Sequence, residues 1–278
     1  PVVFPVFLAK KFTFSSAPIV LTNWGSDTRL LPLWLQRFAL KLVNGCISTA
    51  QETDQHLLRL NYTNFITAPS PIDEDKFSRQ LDEVSFKNEL DIDPGATVIS
   101  FIGRLNYFKD PLTFIHACEL LKKKDFNFVA LIAGGGDLEN ECREEIRKSD
   151  LQDTVKLLGF RKDTESLLGI SDIAVHISPI ENTWATVIAE AMYCDVPMVI
   201  TDVGNTKSTF THNMDCYMVP PNDPENLSSA LEALINSASL RDIIISGGRN
   251  LLIKHGKIGN ESARKTFDFY TRILKKDE

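Results

Sequence analysis

From about residue 96 onward, β-branched apolar runs alternate with stretches of helical periodicity. The runs are TVISFI (97–102), FVALIA (128–133), TVKLLG (154–159), IAVHIS (173–178), PMVIT (197–201) and CYMVP (216–220). Helical spacing separates them at 111–124, 137–148, 163–169, 184–193 and 224–236. This alternation predicts an α/β fold, a parallel sheet with crossover helices. The last of these helices carries its own start signal, Asp223 as N-cap and Pro224 at the first helical position. Before residue 70 the same alternation is shorter: IVLTN (19–23), a helix near 30–43, CISTA (46–50), a helix near 51–60 and FITAP (65–69). Three strands make half a Rossmann sheet. Between the two regions lies the polar SPIDEDKFSRQLDEVSFKNELDIDPG, flanked by Pro71 and Pro94, which predicts an interdomain connection. The expected organisation is a partial first domain with its linker over 1–90, a second domain over 91–258 and a C-terminal helix over 259–278.

Composition narrows the class. Apolar residues at 43% and charged residues at 24% are those of a globular chain, and no apolar run reaches the roughly 18 residues of a membrane span. Cys46, Cys118, Cys142, Cys194 and Cys216 form no CxxC pair, so neither a zinc site nor a disulfide framework is expected, and a reducing cytosol fits. Charge is uneven: residues 1–50 hold Lys10, Lys11, Arg29, Arg37 and Lys41 against Asp27 alone, net +4, which leaves −11 for the rest. That asymmetry points to an anionic partner for the first part, and the lack of a basic-aromatic pattern argues against nucleic acid. The chain starts at Pro1, and PVVFPVFLAKKF has no small-residue cleavage site, so the expectation is a start partway into a longer protein rather than a signal peptide.

The stretch SPIENTWATVIAEAM (178–192) holds two carboxylates, Glu181 and Glu190. Nine residues of helix would put them about 13.5 Å apart. Paired glycosidase carboxylates sit roughly 5–9.5 Å apart, so the two are expected to contact different parts of one long ligand. The plainer alternative is a first-turn acid and a solvated helix residue. In FIGRLNYFKDP a strand runs into Gly103, followed by Arg104 and Lys109. Strand ends at the carboxyl edge of a parallel sheet are where ligands bind, and a guanidinium fork beside a point charge suits a diphosphate. Two solvated surface cations are the alternative. LIAGGGDLENE places Gly134, Gly135 and Gly136 between strand and helix, either a phosphate cradle or a tight turn. VKLLGFRKD ends a strand at Phe160, placed to meet a nucleobase or simply to fill the core. LTNWGSDTRL gathers Trp24, Gly25, Ser26 and Asp27 at a strand end, which an Asx turn would also explain. The five histidines have no metal-ligand spacing, and the DxD of Asp91 and Asp93 falls in the linker, so no metal is expected.

In this order the stretches GRLNYFKDP, AGGGDLE, VKLLGF, ISPIENTWATVIAEAM, VPMVITDVG and CYMVPPNDPENL resemble glycosyltransferase family 4, retaining nucleotide-sugar transferases of GT-B fold. The resemblance covers residues 97–236; CISTAQETDQHLLRL with PSPIDEDKF is similar to the family's domain junction. It implies two Rossmann-like domains with parallel sheets, the N-terminal one incomplete. It further implies a UDP- or GDP-sugar as co-substrate, with no cofactor and no metal, and a glycan or lipid-linked acceptor. The donor would meet Gly103, Arg104, Lys109, Gly134, Gly135, Phe160, Glu181, Asn182, Thr183, Trp184, Thr186 and Glu190. Among these, Arg104 and Lys109 would hold the diphosphate, Glu190 the ribose and Glu181 the sugar; Gly25, Ser26 and Asp27 would lie on the acceptor side. Two departures stand out. Family members show two glutamates eight apart, where this chain has Asn182 at the formal position and Glu181 displaced by one. After TDV, where many members have two glycines and a glutamate, stand Gly204, Asn205 and Ser208. A nucleotide-sugar epimerase on the same scaffold and a non-catalytic sugar-nucleotide binding module are the competing classes. RLLPLWLQRFALKLV (29–43), with Trp34 and Phe38 among Arg29, Arg37 and Lys41, could serve as a membrane-surface helix or as a domain-core helix.

Overall fold

The computed structural model describes residues 17–22, 32–49, 51–78, 81–180, 184–204 and 206–275. The chain divides into two compact units, one formed by Pro1–Pro71 with His255–Glu278 and the other by Ile72–Lys254.

In the first unit, β1 (Val20–Thr22), β2 (Gly45–Ser48) and β3 (Phe65–Thr67) form a parallel sheet in the order β1-β2-β3. The crossovers are α1 (Leu33–Lys41) and α2 (Gln51–Arg59). Successive strand residues face opposite sides. Cys46 therefore joins Leu40, Val43, Leu57 and Leu60 under the crossover helices, while Ile47 joins Ala68, Phe269 and Ile273 on the other face.

The second unit opens with α3 (Glu74–Phe77) and α4 (Glu83–Glu89), followed by β4 (Thr97–Ile102), α5 (Pro111–Lys123), β5 (Phe128–Ala133), α6 (Glu139–Lys148), β6 (Val155–Gly159), α7 (Thr164–Gly169) and β7 (Ile173–His176). Then come α8 (Thr186–Tyr193), β8 (Met198–Thr201), α9 (Thr206–Thr209), β9 (Tyr217–Val219), α10 (Pro224–Asn236) and α11 (Ala238–Lys254). All neighbouring strands are parallel, in the order β6-β5-β4-β7-β8-β9. Burial on both faces explains the continuous apolar strands. Ile99 and Phe101 pack with Phe114 and Leu231 on one side, and Val98 packs with Leu131, Leu167 and Ile170 on the other. As its sequence foretells, α10 is capped by Asp223, whose carboxylate accepts from the Asn226 amide at 2.9 Å.

Two expectations change. The segment read as a connection is structured: Asp73 and Asp82 cap α3 and α4 by accepting from the Lys76 and Ser85 amides, each at 3.1 Å. Leu81, Phe86 and Leu90 pack against the Ile92, Val98 and Leu167 core of the second unit, so the compact units divide at 71/72 rather than near 90. The C-terminal helix, α12 (Glu261–Lys275), belongs to the first unit, where Phe269 and Ile273 cover the sheet and the Ser262 hydroxyl donates to the Pro69 carbonyl at 2.5 Å.

Candidate functional site

The strand order of the second unit reverses between β4 and β7, and a doubly wound sheet opens a crevice at the carboxyl ends of such a pair. From β4 the chain emerges through Gly103 and Arg104. Asn106 closes the following turn, its carbonyl accepting from the Lys109 amide at 3.0 Å and the Asp110 amide at 3.1 Å. Asp110 holds a left-handed conformation and caps α5. This turn lays the Lys109 stem beside Gly103, where an added Cβ would lie 3.9 Å from its Cγ. Arg104 is exposed and Lys109 half-buried, both in the chain that leaves the carboxyl end of β4.

Backbone hydrogen bonds bolt the three strand ends together. The Gly103 amide donates to Ala133 at 2.9 Å, Gly134 to Gly159 at 2.7 Å, Leu105 to Gly135 at 3.0 Å and Leu138 to Leu105 at 2.9 Å. A Cβ on Gly134 would fall 1.8 Å from the Gly103 carbonyl oxygen, and one on Gly136 would fall 2.3 Å from that of Leu105. These glycines are therefore required by close backbone approach. The Gly134 amide is committed to Gly159, and the acids Glu139 and Glu141 stand in the first turn of α6. Gly135 lies at the same edge, where an added Cβ would meet Glu139 Oε2 at an ordinary 3.7 Å.

β6 carries a bulge at this edge, since Ile132 pairs with Leu157 but Ala133 with Gly159. The bulge and the left-handed Gly159 (φ +66°) turn Phe160 outward, leaving it 77% exposed rather than in the core. Tyr107 and Phe108, which the sequence did not single out, are also exposed, edge-to-face at 6.2 Å.

On the β7 side, Thr201 Oγ1 donates to the Ser178 carbonyl at 2.6 Å and fixes the chain as it leaves the strand. Trp184 packs its ring against Phe210, with centroids 4.9 Å apart. Ala185 precedes α8 without a side-chain cap; its carbonyl accepts from the Ile188 amide at 3.0 Å, and Thr186 at the first helical position is exposed. Glu190 is half-buried on α8; burial pushes its carboxyl above the usual range, the Lys76 charge pulls it down and Glu165 pushes it up. Glu181, Asn182 and Thr183, like Trp24, Gly25, Ser26, Asp27 and Asn205, lie outside the described residues. The cysteines are free, and burial pushes Cys142 up to about 11 and both Cys46 and Cys194 up to about 12. Among the described residues no cluster of three His, Cys, Asp or Glu could hold a metal ion.

The family model described as glycosyl transferases group 1 matches residues 50–251. A relative in Campylobacter jejuni, a GalNAc-α-(1→4)-GalNAc-α-(1→3)-diNAcBac-PP-undecaprenol α-1,4-N-acetyl-D-galactosaminyltransferase, is 26% identical over 170 residues, 60% of this chain and 46% of that protein. The chain spans about half or less of the length of the first curated relatives it matches. A glycosyltransferase of Rickettsia africae superposes with a TM-score of 0.79 at 22% identity, over 97% of this chain and 74% of that one. HepE of Anabaena, solved in complex with UDP, does so at 0.77 and 17%, over 99% and 75%. At these identities the likeness speaks to the fold: two Rossmann-like parallel sheets of GT-B type, with three strands described in the first.

Proposed function

This chain belongs to the glycosyl transferases group 1 family, and on that premise we propose that it takes part in moving a sugar, with retention, from a nucleoside-diphosphate donor to a glycan or lipid-linked acceptor. The observation that carries the donor site is the placing of Arg104 and Lys109 in the chain that leaves the carboxyl end of β4, next to the strand that leads into α8, whose N-terminus has no side-chain cap, and its half-buried Glu190. As the sugar–phosphate bond breaks, negative charge grows on the diphosphate. The two cations and the α8 amides stabilise that charge without having to reorganise. Glu190 accepts from the ribose hydroxyls, Phe160 lies against the base, and Glu181 or Asn182 meets the sugar. Gly25, Ser26 and Asp27 face the acceptor. The UDP bound by Anabaena HepE and the undecaprenol-linked glycan in the name of the Campylobacter jejuni relative favour a UDP- or GDP-sugar and an acceptor of glycan or glycolipid class. Polysaccharide or glycoconjugate biosynthesis at the cytoplasmic side of a membrane is the setting that fits.

Calorimetric titration of UDP, GDP and ADP tests this reading. One nucleotide should bind, and Glu190→Ala should weaken it about 10- to 100-fold, the loss of charge-assisted hydrogen bonds. Affinity should also fall as the pH is lowered through the raised pKa of Glu190, because a protonated carboxyl accepts fewer hydrogen bonds; Glu190→Gln should flatten that profile. If none of the three nucleotides binds, the reading is wrong.

The first unit adds a membrane surface to this proposal. No helix among the described residues is long and apolar enough to cross a membrane. α1 buries Gln36 and Leu40 but leaves Trp34 70% and Phe38 48% exposed, beside the exposed Leu33, Arg37 and Lys41. Aromatic rings interleaved with cations suit the headgroup region of anionic lipid. Co-sedimentation with vesicles containing phosphatidylglycerol should show binding at low salt, weakened about tenfold or more by Trp34→Ala with Phe38→Ala. No binding of the wild-type chain at low salt would end the membrane role.

A further inference from the structure

Lys76 lies on α3, in the segment whose polar sequence suggests a connector. Its Nζ is 3.0 Å from Glu165 Oε2 and donates to Thr164 Oγ1 at 3.1 Å and to the Lys162 carbonyl at 3.3 Å. Those partners span the loop that follows Phe160 and the first turn of α7. The same loop is held from within by Arg161, which grips Asp163 through Nε at 2.9 Å and a second nitrogen at 2.5 Å. It is held from α4 as well, where Phe86 lies under the Arg161 guanidinium at 5.8 Å and Glu89 stands 3.9 Å away. Neither clamp on this loop is accounted for by the diphosphate chemistry, and both draw on the 73–89 segment.

We infer that Lys76 is a positioning residue of the nucleoside half of the donor site, fixing the loop that follows Phe160 through Lys162, Thr164 and Glu165. The inference rests on the donor-site reading above. The Lys76 charge also pulls down the Glu190 carboxyl, which burial and Glu165 push up, so the same ammonium favours the ionised form that accepts from ribose. The two halves of the site are thus organised by different cations: Arg104 and Lys109 meet phosphate, whereas Lys76 touches only protein.

Titrating UDP, GDP and ADP together with uridine, guanosine and adenosine separates these roles. Lys76→Met should weaken the cognate diphosphate and its nucleoside by the same factor, about tenfold, the worth of one charge-assisted hydrogen bond. Lys76→Arg, which keeps the charge, should recover most of the loss. Arg104→Ala should weaken the diphosphate while leaving the nucleoside unchanged. Glu165→Gln preserves the shape of the α7 turn and loosens the Lys76 pair. It should reproduce a smaller, equal loss for both ligands with the thermal midpoint unchanged, which guards against a folding defect in the methionine variant. Unaltered binding in both Lys76→Met and Glu165→Gln overturns the inference, as does a loss confined to the diphosphate. A wild-type chain that binds none of the six ligands removes the donor-site reading itself, and the inference with it.

Discussion

Arg104→Ala should lower kcat for sugar transfer about 100- to 1000-fold while changing the donor KM much less. The reason lies in when the contact matters. In the ground state the diphosphate charge is already met by the Lys109 ammonium and by water; as the glycosidic bond breaks, a further charge accumulates on the leaving phosphate. A guanidinium borne on the chain that leaves β4 stabilises that added charge more than the starting one, and loss of one such donor costs about 3–4 kcal/mol. Arg104→Lys should recover only part of the rate, since an ammonium cannot reproduce the two parallel bonds of the fork. The measurement is the initial rate of transfer against donor concentration. A rise in KM with kcat intact would mean that Arg104 contributes uniform binding only, and no change in either would place the diphosphate elsewhere.

Legibility in the sequence followed burial. The β4 and β5 strands match their apolar runs to the residue, because a parallel sheet covered on both faces needs no polar alternation and leaves an uninterrupted signal. The α3 and α4 helices were hidden for the converse reason: each is short and carries few apolar residues, Phe77 in α3 and Val84 and Phe86 in α4, so polarity outweighed periodicity. The place of α12 in the first unit depends on Phe269 and Ile273 meeting Ile47 and Ala68, a contact across some two hundred residues that no local pattern records. At the site, the positions of Gly103, Arg104 and Lys109 at a strand end were visible. The outward turn of Phe160 was not, because it depends on a bulge defined only by the pairing of β6 with β5. Nor was the partnership of Lys76 with Glu165, eighty-nine positions apart in the chain.

The glycine run sets backbone overlap at one position beside ordinary contact at the next, and Gly134→Ala should be among the most destabilising single methyls in the second unit. Its Cβ would sit 1.8 Å from the Gly103 carbonyl oxygen and 2.8 Å from its carbon, both backbone atoms that no rotamer change can move. Gly134 also holds φ +152°, which side chains rarely adopt, so the methyl adds strain as well as overlap. Relief requires β4 and β5 to part at their carboxyl ends, breaking the bond from Gly103 to Ala133, or Gly134 to shift against its bond to Gly159 on β6. The expected cost is about 3 kcal/mol or more, a fall in thermal midpoint of about 6–12 °C for a unit of this size. Gly135→Ala is the control one residue away. Its Cβ would meet only Glu139 Oε2, at an ordinary 3.7 Å, and its thermal midpoint should stay within about 2 °C of wild type. Calorimetric unfolding of the two variants decides the matter. If Gly134→Ala melts with the wild type, the carboxyl edge is not bolted by close backbone contact, and the backbone frame that carries Arg104 loses its support.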